Sequence, residues 1–349
     1  MKVAVIFGGM STEHDVSIAS GTSVIKNLNK NKYRIYPIYI DEQGTWYEYI
    51  EKIDNIKNLK VGEKLEKIVK IENAIDYLKQ MDVIFPVLHG LYGEDGTIQG
   101  MLELIKKPYV GCKVLASSLA MDKAYAKMIF TQAEIAQTKY IYIRKCKDGY
   151  IHVKNNLEEE RKSLNEISSF INQELEYPMY VKPSNSGSSV GIRKVKNEEE
   201  LKNAIIYAGK FDTKIIIEEG IIGREIECSV LGNEDVIASC AGEIIPADEF
   251  YSYEAKYENA ESKTLIPAKL DKKTEDEIKK TAIKAFKVIG GNGLSRVDFF
   301  IKKDGTVILN EINTMPGFTE ISMYAKLWEQ EGIGYSELLE KLICLATEK

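Results

Sequence analysis

The chain has 349 residues, 44% of them hydrophobic and 29% charged, and its formal net charge is -6. This length and composition predict a globular protein of two or three domains, and an acidic balance without a long Lys/Arg run argues against nucleic acid as a main partner. No apolar stretch approaches the length of a membrane span, and the five cysteines lack CxxC spacing, so we expect a cytoplasmic protein with reduced thiols.

The N-terminal segment has the pattern of a strand, a loop and a helix, as in an α/β domain. Residues 2–7 predict a buried strand that ends at Gly8-Gly9, and a helix follows from about Thr12, capped by Ser11 or Thr12. The sequence GGMSTE lacks the glycines of a dinucleotide-binding loop. Glu13 follows the carboxyl end of the strand, where open α/β sheets bind ligands. Taken alone, a charge at a helix N-terminus is the favoured explanation of Glu13.

A further strand of this domain is followed by a loop rich in turn-forming residues. Residues 82–88 predict a strand that runs into the loop 89–96 and then a helix near 97–105. His89 at the start of the loop fits an acid, a base or a substrate hydrogen-bonder. A structural histidine bonded to loop backbone fits the sequence as well. We place the first domain boundary near residue 111.

A loop of small residues, PSNSGSSVG, begins at Pro183. Small residues let backbone N–H groups approach a ligand closely, and successive N–H groups can bind an anion. The loop is flanked by strands at 179–181 and 190–195, which makes it the tip of a hairpin rather than a serine-rich linker. We interpret it as a lid over phosphates, backed by Lys182.

The remaining chain predicts several further elements. A β-branched strand at 214–218 ends in Glu218 and Glu219, and a strand at 224–231 carries Glu225. A loop at 246–267 contains FYSYEAKY; a loop of this length is usually functional or disordered, and this one is too aromatic for disorder. Helices are predicted at five places: 117–134, 157–174, 201–207, 271–289 and 335–346.

Residues 293–318 predict two core strands joined by a turn at Asp304-Gly305, a dipeptide that favours a two-residue hairpin loop. That pairing places Asp298 opposite Glu311 and Arg296 opposite Asn313, with Cβ atoms about 5 Å apart on one face. Carboxylates this close repel each other unless a cation lies between them. The pattern therefore predicts a Mg²⁺-nucleotide site; an ordinary charged hairpin is the alternative, and the apolar character of the strands argues against it.

Together these motifs resemble the D-alanine–D-alanine ligase family, which has an ATP-grasp fold. The resemblance covers nearly the whole chain and rests on GGMSTEHDVS, VLHGLYGEDGTIQG, MDK, KPSNSGSSVG, EFYSYEAKY, SRVDFF and NEINTMPGFT followed by ISMY. It implies an α/β protein with a Rossmann-like open-sheet domain at 1–111 and two ATP-grasp subdomains at 112–218 and 219–349. The nucleotide would lie between the two subdomains, under the lid at 183–191.

The resemblance also implies ligands for the nucleotide and its metal ions. The nucleotide-binding positions are Lys123, Lys182, Ser188, Ser189, Glu218, Glu219, Ile221, Glu225 and Lys256. Asp298, Glu311 and Asn313 match the ligands of two Mg²⁺ ions, with Glu311 bridging. Mn²⁺ is an expected substitute for Mg²⁺, and K⁺ is a candidate additional ion.

For the substrates, the resemblance assigns the first D-alanine ammonium to Glu13 and its carboxylate to the neighbourhood of His89. The remaining substrate and catalytic positions are Ser188, Tyr257, Arg296, Gly317, Ser322 and Met323. Ser188 and Tyr257 would form a network with Glu13. Arg296 and the Gly317 N–H would stabilise an oxyanion, and Ser322 and Met323 would line the pocket for the second D-alanine.

The implied activity is ATP-dependent ligation of two D-alanines through an acyl phosphate, for peptidoglycan precursors, by a homodimer. Relatives that make depsipeptides usually have histidine at Tyr257, and relatives that use D-serine tend to have arginine at Met323. These two residues therefore favour D-alanine over D-lactate and D-serine. Another ATP-grasp carboxylate–amine ligase is the remaining alternative. Two departures from the family pattern are Glu320, where relatives often have serine, and Ala325, where many have proline.

Overall fold

The computed structural model describes residues 1–57, 59–63, 65–187, 190–245, 263–319 and 321–348. These residues form three β-sheets of five, six and five strands, with helices packed against them. The predicted α/β class and the open N-terminal sheet are both confirmed.

The first sheet has the order β4-β3-β2-β1-β5, and β1 pairs in parallel with both β2 and β5. Because β1 is covered on both faces, nearly all of its residues are buried and apolar. The strands are β1 (Lys2–Gly8), β2 (Arg34–Ile40), β3 (Trp46–Tyr49), β4 (Ile68–Lys70) and β5 (Val83–Pro86). The helices of this region are α1 (His14–Asn27), α2 (Ala74–Leu78) and α3 (Thr97–Leu104).

The second sheet is antiparallel, with the order β10-β9-β11-β6-β7-β8. Its strands are β6 (Tyr140–Cys146), β7 (Gly149–Val153), β8 (Glu159–Lys162), β9 (Met179–Pro183), β10 (Arg193–Val195) and β11 (Lys214–Glu219). The helices α4 (Val114–Met121) and α5 (Lys123–Gln132) precede it, and α6 (Leu164–Glu174) and α7 (Glu198–Ala208) pack on it. The predicted hairpin beneath the lid is confirmed, because β9 and β10 pair antiparallel.

The third sheet is also antiparallel, with the order β14-β13-β12-β15-β16. Its strands are β12 (Gly223–Gly232), β13 (Ile237–Ile245), β14 (Lys263–Leu265), β15 (Gly293–Lys302) and β16 (Val307–Asn313). The amphipathic helix α8 (Lys272–Val288) buries Ile278, Ala282, Ala285 and Phe286 against it. Two further helices, α9 (Met323–Gln330) and α10 (Tyr335–Thr347), end the chain.

The β15–β16 hairpin corrects one prediction and confirms another. The loop is not the predicted two-residue turn, because Lys302 N–H donates to the Thr306 carbonyl and leaves three residues between them. The register is therefore offset by one near the turn, where Ile301 faces Val307. A bulge beside Asp298 removes the offset, so that Asp298 faces Glu311 as predicted.

Three helix predictions need correction, one because the helix is interrupted and two because it begins at a different residue. Asp122 interrupts the predicted helix 117–134, because its carboxylate caps α5 by accepting the N–H groups of the first turn. The predicted helix 157–174 begins only at Leu164, where Ser163 forms a capping box, and the residues before it form β8. At α1 the N-cap position is Glu13, rather than Ser11 or Thr12, and it makes no side-chain capping bond.

The C-terminal helix α10 packs back onto the first sheet. Its buried leucines, Leu338, Leu339 and Leu342, share a core with Val5 and Phe85. Helices α4 and α5 similarly bury side chains against the third sheet. The domain ranges 1–111, 112–218 and 219–349 remain a proposal, and these helix contacts cross them. Among the described residues, no helix combines the length and apolar character needed to cross a bilayer.

We predict that Leu342→Ala lowers the free energy of unfolding by about 3 kcal/mol, because this side chain is 1% exposed and its removal leaves a cavity. Urea unfolding followed by circular dichroism measures the change. The matched control is Leu104→Ala on α3, where the side chain is 85% exposed and the expected change is within about 0.5 kcal/mol. Equal effects of the two substitutions would contradict the packing of α10 on the first sheet.

Candidate active site

Three strands of the third sheet carry charged side chains on one face. Asp298 on β15 pairs with Glu311 on β16, and Arg296 pairs with Asn313 two residues along. On the other side of β15, β12 places Glu227 beside Asp298. Because side chains alternate along a strand, all five lie on the same face. The predicted placement is confirmed, and the role of these residues as metal ligands stays a prediction.

Arg296 supplies positive charge to this face. Its guanidinium binds Asp298 through Nε–Oδ1 and Nη2–Oδ2 hydrogen bonds of 2.7 Å each, and its Nε lies 3.2 Å from Glu227 Oε2. Asn313 Nδ2 donates to Asp298 Oδ2 at 3.0 Å. Burial lowers the pKa of Arg296, but the two carboxylates outweigh burial and raise it well above its ordinary value. The cation required beside Asp298 is thus the guanidinium in this structure.

The donor atoms of this face suit a hard divalent cation. Asp298 and Glu311 carry carboxylate oxygens and Asn313 carries an amide oxygen, which are ligand types of Mg²⁺. Within the described ranges, no cluster of three or more His, Cys, Asp or Glu side chains is placed to hold a metal ion. Two carboxylates and an amide match the kind of site in which substrate phosphates complete the coordination of Mg²⁺.

A buried lysine–glutamate cluster lies on the second sheet. Glu218 Oε1 is 2.8 Å from Lys127 Nζ, and Glu218 Oε2 is 2.6 Å from Lys182 Nζ. Burial alone would raise the pKa of Glu218, but the two lysines lower it to about 2. Lys127 was missed by the sequence analysis, although its spacing of four residues from Lys123 places both on one face of α5. Burial lowers the pKa of Lys123, and Glu311 only partly opposes this effect. Burial also lowers the pKa of Lys182, but Glu218 and then Glu311 outweigh it and raise that pKa. Because Glu311 of the third sheet acts on both lysines, the charged groups of the two sheets lie near one another.

The base of the lid is fixed to the start of α5. Asp122 accepts a hydrogen bond from Ser184 Oγ at 2.5 Å and forms an ion pair with Lys214. Lys123 Nζ donates to the carbonyl of Ser186 at 2.7 Å. Lys123, one of the predicted nucleotide-binding residues, is therefore held by the lid backbone. The lid residues Ser188 and Ser189 lie outside the described residues.

Glu13 lies between the lid and the loop that follows β5. A Cβ built on Gly90 or on Gly187 would fall 2.5 Å from Glu13 Oε2, so both glycines permit a close approach of their backbone to this carboxylate. The backbone N–H of Glu13 donates to Ser11 Oγ at 3.1 Å, and Ser11 Oγ donates to the His89 carbonyl at 2.6 Å. The structure thus brings Glu13, the lid and His89 together.

His89 is 4% exposed, and both of its ring nitrogens are engaged. Nδ1 lies 3.0 Å from the Met315 carbonyl and Nε2 lies 3.0 Å from Ser20 Oγ. Burial lowers the pKa of His89. This geometry matches the alternative of a structural histidine bonded to loop backbone, and a direct bond to a substrate carboxylate would require one of these contacts to break.

Glu94 was missed by the sequence analysis. Its Oε2 accepts the Gly90 N–H at 2.8 Å and its Oε1 accepts the Met315 N–H at 3.1 Å. Burial, followed by the nearby charge of Glu13, raises the pKa of Glu94 to about 8. The acidic Glu94-Asp95 pair in the loop after β5 was a visible signal, but nothing local indicated a partner more than 200 residues away.

The segment after β16 brings together the predicted oxyanion and second-substrate residues. A Cβ built on Gly317 would lie 2.8 Å from Ser322 Oγ, so this approach needs glycine. That hydroxyl is held by Thr319, whose N–H donates to it at 3.0 Å. Met323, the first residue of α9, is 4% exposed and packs in an apolar cluster with Leu327 of the same helix and with Cys240 and Ile244 of β13. Ser322 is half-buried and forms the N-cap of α9.

The other predicted nucleotide contacts lie at the connection from β11 to β12. Glu219 and Ile221 line a cavity of about 450 Å³. The Glu219 carboxylate accepts the N–H of Glu176 at 3.1 Å. Glu225 lies on the same face of β12 as Glu227. Lys256, Tyr257 and Glu320 lie outside the described residues.

Two antiparallel sheets that bring a lysine–glutamate cluster, a hairpin lid and a carboxylate face together define an ATP-grasp protein. A family model described as the D-ala D-ala ligase N-terminus matches residues 2–112, and one described as the D-ala D-ala ligase C-terminus matches residues 129–344. The chain belongs to the D-alanine–D-alanine ligase family, as the sequence motifs predicted.

Individual relatives match along the whole chain. The D-alanine–D-alanine ligase of Acetivibrio thermocellus is 48% identical over 373 residues, which cover 100% of this chain and 96% of the relative. That of Clostridium acetobutylicum is 48% identical over 352 residues, which cover 100% and 98%. The solved structure of the VanG D-Ala:D-Ser ligase from Enterococcus faecalis has a TM-score of 0.84, 37% identity and 99% coverage of both chains.

We predict that Glu218→Gln destabilises the protein by about 3 kcal/mol at pH 7, because it leaves Lys127 and Lys182 buried without their carboxylate. The folded pKa of about 2 lies below the ordinary value of 4.5, so the stabilisation is complete above about pH 5 and is lost as the pH falls through 4.5 towards 2. Urea unfolding at pH 7, 5 and 3.5 should show the gap between wild type and variant narrowing at the lowest pH.

The control for this substitution is Glu159→Gln in the same sheet. Glu159 pairs with Arg144 at 2.7 Å, but both side chains are exposed, so the expected change is within about 0.5 kcal/mol at every pH. A gap that widens as the pH falls would show that Glu218 is not a carboxylate held ionised by the two lysines.

Proposed function

We propose that this protein joins two D-alanine molecules into D-alanyl-D-alanine, with conversion of ATP to ADP and phosphate. The observation that carries the proposal is the meeting of three groups in a chain of this family: the acidic face around Asp298 and Glu311, the lysines Lys123 and Lys182, and Glu13 beneath the lid. An ammonium site next to a polyphosphate site is what a carboxylate–amine ligase requires.

The first step activates the carboxylate of one D-alanine, which is a poor electrophile. A bond forms between a carboxylate oxygen and the γ-phosphorus of ATP, ADP leaves, and an acyl phosphate results. Glu13 would hold the substrate ammonium, and Lys123 and Lys182 would offset the negative charge of the phosphates. Asp298, Glu311 and Asn313 would hold Mg²⁺, which would supply positive charge against the negative charge of the phosphates.

The second step forms the peptide bond. The neutral amine of the second D-alanine attacks the acyl carbon, and a tetrahedral oxyanion forms. Its collapse breaks the bond to phosphate, which leaves as the nitrogen gives up a proton to it. Arg296 and the Gly317 N–H are the proposed donors to that oxyanion, an effect worth roughly 3 kcal/mol per donor. The lid, with Gly187 against Glu13, would exclude water from the acyl phosphate.

We propose D-alanine as the second substrate. Met323 supports this choice because an apolar, buried side chain suits a methyl group better than a hydroxyl. The D-serine specificity named for the VanG relative makes D-serine the second candidate, and D-lactate the third. The family further supports a role in peptidoglycan precursor synthesis in the cytoplasm, a homodimer, and use of Mn²⁺ or K⁺ as additional ions.

A phosphate-release assay tests the function directly. With ATP and Mg²⁺, we expect release with D-alanine alone and formation of D-alanyl-D-alanine, detected by mass spectrometry. When D-serine or D-lactate is added at the same concentration as D-alanine, D-alanyl-D-alanine should remain the main product. Absence of phosphate release with every D-amino acid would exclude the proposed function. A main product of D-alanine joined to D-serine or D-lactate would exclude D-alanine as the preferred second substrate.

We predict that Glu311→Gln abolishes turnover and weakens Mn²⁺ binding in the presence of ADP, because one of two carboxylates at the proposed metal site is lost. Electron paramagnetic resonance measures the bound Mn²⁺. The matched control is Glu243→Gln on β13, whose carboxylate pairs with Arg224 on the opposite face of the same sheet. Normal turnover and Mn²⁺ binding in Glu311→Gln would remove Glu311 as a metal ligand.

A further inference from the structure

The four residues Met315-Pro316-Gly317-Phe318 are held at both ends by hydrogen bonds to other parts of the chain. At Met315, the N–H donates to Glu94 Oε1 at 3.1 Å, and the carbonyl lies 3.0 Å from His89 Nδ1. At Phe318, the N–H donates to Ser20 Oγ at 3.1 Å, and the carbonyl accepts the Tyr335 hydroxyl at 2.6 Å. We name Ser20, His89, Glu94 and Tyr335 the loop clamp.

The proton positions in the loop clamp follow from its acceptors. The Met315 carbonyl can only accept, so His89 Nδ1 carries the hydrogen. His89 Nε2 then accepts from the Ser20 hydroxyl, whose oxygen in turn accepts the Phe318 N–H. A continuous chain of hydrogen bonds therefore joins the two ends of the segment. It requires neutral His89, and burial, which lowers the pKa of this residue, favours that form.

Glu94 connects the same segment to the loop after β5. It uses one carboxylate oxygen for the Gly90 N–H and the other for the Met315 N–H. Gly90 is the residue whose backbone meets the Glu13 carboxylate. One side-chain carboxyl group, bound at both oxygens, thus sets the distance between Gly90, beside Glu13, and the segment 315–318.

Only one backbone N–H inside the held segment is available to a ligand. Pro316 has no N–H, and the N–H groups of Met315 and Phe318 are used by the loop clamp. Across the described part of the chain, the Gly317 N–H donates to no protein acceptor. Met315 and Phe318, which lie on either side of Pro316-Gly317, have backbone positions fixed by the loop clamp.

We propose that Ser20, His89, Glu94 and Tyr335 are positioning residues that fix the Gly317 N–H for the oxyanion of the peptide-forming step. The proposal rests on the proposed function. Its physical basis is that a donor stabilises an oxyanion only at hydrogen-bonding distance from the developing charge, so a misplacement of about 1 Å costs up to about 10²-fold in rate. None of the four residues needs to touch substrate.

The test uses two substitutions at opposite ends of the loop clamp, each with a matched control. Glu94→Gln replaces one acceptor oxygen by a donor. Its control, Asp95→Asn, alters a carboxylate that also accepts two backbone N–H groups, but only from its own loop and the first residue of α3. Tyr335→Phe removes a hydroxyl, and its control Tyr324→Phe removes one that donates to the Val230 carbonyl. Both tyrosine rings contact Phe318.

We expect Glu94→Gln and Tyr335→Phe each to lower kcat about tenfold or more, with the KM for ATP unchanged within about twofold. The controls should keep kcat within about twofold. Because both substitutions act on one segment, the double variant should lose less than the product of the two single losses. The proposal would be overturned if the two variants lost no more kcat than their controls. It would also be overturned if the two single losses multiplied in the double variant and the loss of kcat paralleled the fall in melting temperature.

Hydrogen exchange of the Met315 and Phe318 amides, measured by mass spectrometry, provides a readout that does not depend on activity. Exchange should be faster in the two loop-clamp variants than in wild type and in the controls. If wild type released no phosphate with D-alanine, the proposed function would fail, and this measurement would still decide the clamp. Unchanged exchange in both variants would overturn it.

Discussion

The structure of the candidate active site depends on buried charges of opposite sign that must be paired. On the second sheet, Glu218 is ionised because two lysines hold it, and on the third sheet Asp298 lies in a bidentate pair with Arg296. Leaving one member of such a pair alone in the interior costs several kcal/mol, so each side chain fixes the position of the next. Lysines and carboxylates consequently lie near one another, a combination of charges that would suit the metal-bound polyphosphate of the proposed function.

The sequence predicted the acidic face correctly although it predicted the hairpin loop wrongly. The three-residue loop and the bulge beside Asp298 shift the register by one residue in opposite directions, so they cancel. A signal for the bulge was present in the pattern of β16. β16 buries Val307, Ile308, Leu309 and Ile312, and of these Val307, Leu309 and Ile312 belong to one core cluster. The step of three residues from Leu309 to Ile312 breaks the two-residue alternation, as an extra residue in the strand does.

The residues that sequence reasoning missed share one property: their partners are distant in the chain. Glu94 binds Met315, and Tyr335 binds Phe318 from a helix that packs on the first sheet. Local patterns report burial and periodicity but not which polar group satisfies a given backbone N–H or carbonyl. Lys127 is different, since its position one helical turn after Lys123 could have been read as a second cation on the same face.

The proposed ammonium site and the proposed oxyanion donor are joined by a short series of contacts. Glu13 binds Ser11, Ser11 binds the His89 carbonyl, and the His89 ring binds the Met315 carbonyl. Ser11 and Glu13 lie between β1 and α1, and His89 follows β5, so both ends of this series are attached to strands of the N-terminal sheet. That sheet therefore positions the group that would hold one substrate and also the backbone that would stabilise its reaction. A rotation of that sheet relative to the third would break the two functions together. The close packing of α10 and Phe318 against the first sheet opposes such a rotation, because it buries apolar surface at the same boundary.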